Sequence, residues 1–597
     1  MTIRALAGVL VFNLVLVGVG TALLWGLGAY RWLTDIIRLS GVAYLAGLAG
    51  LIVLLSLELV GGIPITAISS VLTLLALVVI GLTTGIAQRR PCALRLPVGW
   101  RFPRISVFVA VSLAGIVLYL EGLFRQARLA TPLAEFDGWW NWIPKAKAIY
   151  FFGRLDPEFL SFLPNQSYPP GLPAVHAVAF HFMGSPDDTT LHVQYWFYAV
   201  GFFAAVAGLL VAHVRAAILA PSFFLIFLAP SFITWSTRTY VDFPLGYMVA
   251  TAALLTILWI EERRPWQLVT VTALMSAAML TKREGIPLAA CVVIAGLAAS
   301  AKEWRVCWPR LAVAGVIALA LELPWRIWFI VHGIMSDAPS GGIVGELADT
   351  GRGWATVKLV ASTLVAPDVW RLAPFVGAAA IALALFARAW IPALYACAFI
   401  ASAAVMAVWI IWSEVALPIT MRDSNNPIVR LTGTSILVLV ALTPLLLERA
   451  WSAGRGADFA PGVLGADLVA WRSLGAWAIV VAAALVYPVS MLAGIPGSTL
   501  PGGMPHFPSV SDCTPPPPAP GERLRIVVGY ADSYPEADRV RARASASGLD
   551  GVQVAQDGCG RLRVFVGSFR NIAAADLAMR RARAAELEPS LESGVGS

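Results

Sequence analysis

Charge is what this sequence has least of. Of 597 residues, 13% are Asp, Glu, Lys or Arg and 58% are hydrophobic, and the mean hydropathy is +0.76. A soluble globular protein carries about 25% charge, so a soluble enzyme is excluded and lipid is the solvent for most of the chain. Reactive sulfur is scarce too. The six cysteines (Cys92, Cys291, Cys307, Cys397, Cys513, Cys559) form no CxxC, and none pairs with a His at zinc spacing, which argues against a structural metal. The net charge of +8 is spread in short basic clusters between apolar runs rather than gathered in one patch, which excludes nucleic acid as a partner. The glycines of Gly341-Gly-Ile-Val-Gly-Glu346 follow no strand and precede no Gly-Lys-Ser/Thr, so they form no nucleotide loop.

What the chain has in quantity is apolar runs. Stretches able to cross a bilayer, about 17–25 residues each, begin near Leu6, Gly41, Ile65, Ile105, Gln194, Ala216, Val241, Trp266, Ile286, Leu311, Leu372, Pro392, Leu431 and Leu474. The expectation is an all-α polytopic membrane protein of about 12–14 spans, with residues 1–500 as the membrane domain. The first run has no clear cleavage site and reads as a helix. Charge returns after Gly521, where 77 residues hold 11 Arg and 10 Asp or Glu. That segment, 521–597, reads as a small α+β domain. A Pro-rich stretch, Thr514 to Pro520 within 501–520, reads as a semi-rigid spacer.

Basic connections at Arg89 to Arg104, Arg263-Arg264, Lys302 to Arg310, Arg388 and Arg449 to Arg455 fall on one face, which the positive-inside rule makes cytoplasmic. Three long connections, Arg125 to Asp188, His332 to Arg371 and Ser413 to Arg430, fall on the other, as do the amino terminus and the tail. The expected location is a bacterial inner membrane, multi-pass, with the carboxy-terminal domain extracytoplasmic.

On that outer face the polar residues cluster. Glu135-Phe-Asp137-Gly-Trp139-Trp140-Asn141-Trp142-Ile-Pro-Lys145-Ala-Lys147 opens the first long loop. Trp142 and Lys145 read either as interfacial anchors or as substrate contacts. An anchor has no need of a carboxylate, so Asp137 reads as a general base. The loop continues to Ser167-Tyr168-Pro169-Pro170-Gly171-Leu-Pro and His176, a histidine that suits either packing or binding. A second corner, Arg238-Thr-Tyr240-Val-Asp242-Phe-Pro244, offers Asp242 as helix N-cap or as ligand. A third, Thr281-Lys282-Arg283-Glu284-Gly285, places two cations against the positive-inside trend, either to pair with Glu284 or to neutralise a lipid-linked phosphate. Arg430 begins a later span after Arg422-Asp423-Ser-Asn425-Asn426.

The order of these motifs, Asp137-Gly-x-x-x-Trp142-x-x-Lys145, Tyr168-Pro-Pro-Gly171, Tyr240-Val-Asp242-Phe-Pro244 and Lys282-Arg-Glu284-Gly285, resembles the GT-C superfamily of membrane glycosyltransferases, near bacterial protein O-mannosyltransferases and aminoarabinose transferases. The resemblance orders roughly residues 105–300. It implies a polyprenyl-phosphate-linked sugar as donor, an envelope glycan, lipid or protein as acceptor, and inversion at the anomeric centre. Asp137 with Glu135 would supply the catalytic carboxylate, and Lys282, Arg283 and Arg430 the phosphate-binding charge. Trp142, Lys145, Tyr168, His176, Arg238, Tyr240, Asp242 and Glu284 would contact substrate, and Asp242 is the place for a divalent ion if one takes part. The alternatives are a transporter or flippase of a lipid-linked sugar, for which inverted repeats and midplane charges are expected, and a non-catalytic envelope scaffold.

The tail's β-α-β-β-α pattern has strands at Arg523 to Gly529, Val552 to Val554 and Arg561 to Phe569 and helices at Tyr534 to Ser547 and Ala573 to Leu587. It resembles a SPOR domain, which implies peptidoglycan as a partner. Val527 and Val528 stand where that family's first strand carries Gln, so a plain packing domain is an equal reading. A Cys513–Cys559 disulfide is compatible with the expected sidedness.

Overall fold

The structure is a computed structural model that describes residues 2–91, 94–96, 105–130, 137–163, 165–334, 349–413, 427–455, 470–492, 524–531, 534–556 and 562–593. Glu135, the 414–426 and 501–520 segments, the Gly341 to Glu346 glycines and both Cys513 and Cys559 lie outside these residues. The chain divides into two compact units, Met1–Gly502 and Gly503–Ser597.

The first unit is helical. Every apolar run seen in the sequence lies on a helix, but among the described residues only nine helices are long and apolar enough to cross a membrane. A tenth is reached if Thr350–Trp370 and Ala373–Phe386, bent by 114° against each other, form one span. Among the described residues that is fewer than the expected 12–14. The runs at Ala216 and Ile286 become short apolar helices, and the one at Trp266 becomes a 17-residue helix, Pro265–Thr281. Apolar composition alone does not reveal where a helix stops.

Two helices form the centre. The 18-residue apolar windows of Asp242–Glu262 and Ile428–Ala453 are 100% and 94% buried, whereas that of Val107–Arg128 is 28% buried and faces outward. The central helices pack against each other, and their amino-terminal ends carry Asp242 and Arg430. Around them, Ser40–Val60 and Ile3–Leu27 approach at backbone distance. A Cβ placed on Gly20 would lie 1.6 Å from the Ala43 carbonyl oxygen, so this crossing requires the smallest residue, as close helix packing in lipid generally does.

The two ends of the bundle differ in chemistry. One end carries paired charges of the basic connections: Arg263 with Glu303, Arg449 with Glu261 and Arg215 with Glu448. The other end holds the residues described in the next section.

The second unit is a four-stranded sheet, β1 (Leu524–Ala531), β2 (Val552–Gln556), β3 (Leu562–Phe569) and β4 (Ser590–Ser593), in the order β2-β3-β1-β4 with antiparallel neighbours. Helices Tyr534–Ala546 and Ile572–Ala584 connect the strands into a β-α-β-β-α-β unit. Alternation along β1 and β3 directs Ile526, Val528, Val564 and Val566 against Ala537, Ala544, Ala575 and Ala582. Strand β4 was not legible, because Ser-Leu-Glu-Ser offers a single apolar residue. It is held by Glu592, which accepts hydrogen bonds from the Tyr530 hydroxyl at 2.6 Å and from Arg563 at 2.7 Å.

Candidate functional site

The first long loop after Val107–Arg128 folds into helices. Asp137 stands at the head of a five-residue π-turn, Gly138–Trp142, closed by the Ile143 amide donating to the Gly138 carbonyl. Pro144, in the first turn of the following helix, Ile143–Phe152, has no amide hydrogen to lose there. A π-turn in a helix is a strained insertion that often marks a functional site. Asp137, Asn141 and Lys145 follow one another at a spacing of four through this turn and the helix after it.

Lys145 is fully buried and donates to the Tyr168 carbonyl at 2.8 Å. The Trp142 ring stacks on that of Tyr168, with centroids 5.2 Å apart and planes 2° from parallel. Tyr168 is thereby clamped from two positions of the 137–145 segment, Trp142 and Lys145. Gly171, just beyond the prolines, lets this segment press against the end of helix Pro265–Thr281. A Cβ there would lie 2.4 Å from the Leu280 carbonyl oxygen.

That contact brings the Tyr-Pro-Pro segment to the Lys282 corner. The Tyr168 hydroxyl donates to Glu284 Oε1 at 3.3 Å. Lys282 Nζ bridges Glu284 at 3.1 Å and Asp242 at 2.8 Å. Arg430 pairs with Asp137 and reaches the other oxygen of Asp242 at 3.5 Å. The result is one continuous chain of charges, Asp137, Arg430, Asp242, Lys282 and Glu284, drawn from four separate segments. Aromatic faces carry the cations. Arg430 lies 5.0 Å from the Tyr240 ring centroid and 5.7 Å from that of Trp235, and Arg283 lies 5.2 Å from that of Tyr168. Such contacts contribute roughly 0.5–2 kcal/mol each.

Burial sets the protonation of the network. Burial alone would lower the Lys282 ammonium, but the carboxylates of Asp242 and Glu284 outweigh it and hold its pKa above the ordinary lysine value. Burial, reinforced by Glu284, pushes the Tyr168 phenol up, so it remains a hydrogen-bond donor. The three carboxylates are unequal in access. The Asp137 side chain is 22% exposed, against 6% for Asp242 and 7% for Glu284.

Two candidates stand apart. His176 lies on helix Gly171–Met183, fully buried, with its ring against Tyr195 and Tyr198. Neither ring nitrogen has a hydrogen-bond partner, and no contact joins it to the charges. Arg238 meets the cluster only through the Trp235 ring, 5.9 Å away. Of the two roles open to Asp242, N-cap or ligand, the cap position is taken by Val241, and the Asp242 carboxylate pairs with Lys282 and Arg430.

Three residues near the site had no assigned role in the sequence. Trp235 supports Arg430 through its ring face. Asp188 pairs with Lys147 at 2.7 Å. Asn141 is 1% exposed, with both side-chain polar atoms lacking a partner. Its one sequence signal was its spacing of four from Asp137. Among the described residues, no group of three His, Cys, Asp or Glu is placed to hold a metal ion.

No family model, curated protein or solved structure matches this chain.

Proposed function

We propose that the chain is a GT-C-type membrane glycosyltransferase that moves a sugar from a polyprenyl-phosphate donor to an envelope acceptor on the extracytoplasmic face of a bacterial inner membrane. The observation that carries this reading is the shared network of Asp137, Arg430, Asp242, Lys282 and Glu284 at one end of the bundle. Ionisable groups at membrane depth are expensive, and a protein retains them where they act.

Transfer of a sugar from a phosphate ester needs a base at the acceptor oxygen and positive charge at the departing phosphate. Arg430 and Lys282 supply the charge, with Arg283 beside them. A donor phosphate competes with Asp137 for Arg430, while Asp242 keeps the guanidinium in place. Asp137, the most accessible of the three carboxylates, is then freed to take the acceptor's proton. The acceptor oxygen bonds to the anomeric carbon, and the carbon–oxygen bond to phosphate breaks with its electrons passing to the polyprenyl phosphate. The SPOR-like carboxy-terminal unit would bind peptidoglycan strands.

The test compares envelope glycans, glycolipids and glycoproteins by mass spectrometry with and without the gene. Loss of a defined sugar from one acceptor class supports the proposal, and identical profiles refute it.

A further inference from the structure

The proposed transferase site leaves a set of polar atoms unused, and their chemistry is selective. The Asn141 amide lacks partners for both its nitrogen and its oxygen, the Trp142 indole N–H lacks an acceptor, and Glu284 Oε2 lacks a donor. Asn141 lies four residues after Asp137, bound to Arg430, and four before Lys145, bound to the Tyr168 segment. Trp142 stacks on Tyr168, whose hydroxyl holds the other oxygen of Glu284. The unused atoms thus border the same network. Buried polar atoms of a native protein normally have partners, so a cluster of orphans marks the place of a missing one.

The missing partner must both donate and accept. Asn141 Oδ1 and Glu284 Oε2 require O–H or N–H donors, whereas Asn141 Nδ2 and Trp142 Nε1 require acceptors. A sugar phosphodiester has no donor on its phosphate, but its sugar hydroxyls do both. We infer that Asn141, with Glu284 Oε2 and the Trp142 indole, is the hydroxyl-reading element of this site and binds the sugar ring rather than the phosphate. This inference rests on the transferase reading and adds to it the residue that distinguishes a loaded carrier from an empty one.

A hydrogen-bonded structural Asn and a ligand-reading orphan respond oppositely to truncation. Removing a satisfied amide destabilises the protein, whereas removing an unsatisfied one does not. The experiment uses the full-length chain in detergent, wild type and Asn141→Ala. Tryptophan fluorescence titrations employ undecaprenyl phosphate alone and undecaprenyl phosphate carrying mannose, glucose or arabinose, and each variant's thermal midpoint is measured. Wild type is expected to prefer at least one loaded carrier over the empty one. Asn141→Ala should lose about tenfold of that preference, bind the empty carrier within about twofold of wild type, and melt at the same or a higher temperature. Retained preference, equal loss for both carriers, or a lower midpoint overturns the inference. Binding of the empty carrier by wild type without preference for any loaded one also overturns it while sparing the phosphate site. If wild type binds no carrier at all, the transferase reading fails and the inference with it.

Discussion

Lys282 is the residue on which the candidate site turns. It contacts two carboxylates, each almost wholly buried, and Arg430 reaches the second oxygen of Asp242 at 3.5 Å. Lys282→Met should cost about 3–5 kcal/mol, because it strands buried charge rather than deleting a surface pair. Lys282→Arg should retain most of the stability. Thermal midpoints of the purified variants check this, and an unchanged midpoint for the Met variant would show the network to be solvated. The raised Lys282 pKa sets the pH window. Its stabilisation is fully present below the unfolded value of about 10.4 and is lost only as pH rises through the still higher folded value, so the difference between wild type and Lys282→Met should be flat from about pH 6 to 9. At this scale much was legible. Asp137, Asp242, Lys282, Glu284 and Arg430 stand out in an apolar sequence because a charge there needs a reason, Tyr168 stands out through its Tyr-Pro-Pro-Gly segment, and the structure brings all six together. Asn141 was hidden because an amide carries no charge penalty, and only its unsatisfied burial sets it apart.

Among the elements, close packing of Ile3–Leu27 against Ser40–Val60 gives a contrast within one helix. A Cβ on Gly20 meets the Ala43 backbone, whereas one on Gly18 meets nothing within 4 Å. Gly20→Leu should therefore cost more than the roughly 1–3 kcal/mol of ordinary overpacking, since a backbone cannot rotate aside, while Gly18→Leu should be neutral. The pair is compared by thermal midpoint in detergent, and equal effects would contradict the crossing. In the second unit, Glu592 fixes β4 through Tyr530 and Arg563. Glu592→Ala leaves both donors without an acceptor and should cost about 1–3 kcal/mol. Amide exchange at residues 590–593 should then accelerate, whereas the exposed Glu588→Ala should leave it unchanged. Elements were readable where periodicity is strong, as in β1 and β3, and unreadable where the segment is too short to show any, as in β4. At the Asp242 corner the sequence left two roles open, because an aspartate at a helix start usually caps it. Here the cap position is Val241, and the Asp242 carboxylate pairs with Lys282, forty residues on.

For the molecule as a whole, the outline of an apolar helical unit followed by a charged α+β unit was readable from composition alone, since lipid and water select different residues. The number of full spans was not. Some apolar runs, such as those at Ala216 and Ile286, form helices too short to span, and composition does not show where a helix stops. The convergence of four distant segments was equally invisible to composition and was suggested only by motif order. The measurement that bears most directly on the central claim is sugar transfer by Asp137→Asn. Membrane vesicles containing wild type or the variant are supplied with a polyprenyl-phosphate-linked sugar mixture and their envelope acceptor fraction, and both transfer and donor binding are followed. Wild type should transfer sugar, and Asp137→Asn should lose on the order of 10²–10⁴ in turnover while still binding the donor. Equal turnover in the two proteins would contradict the account.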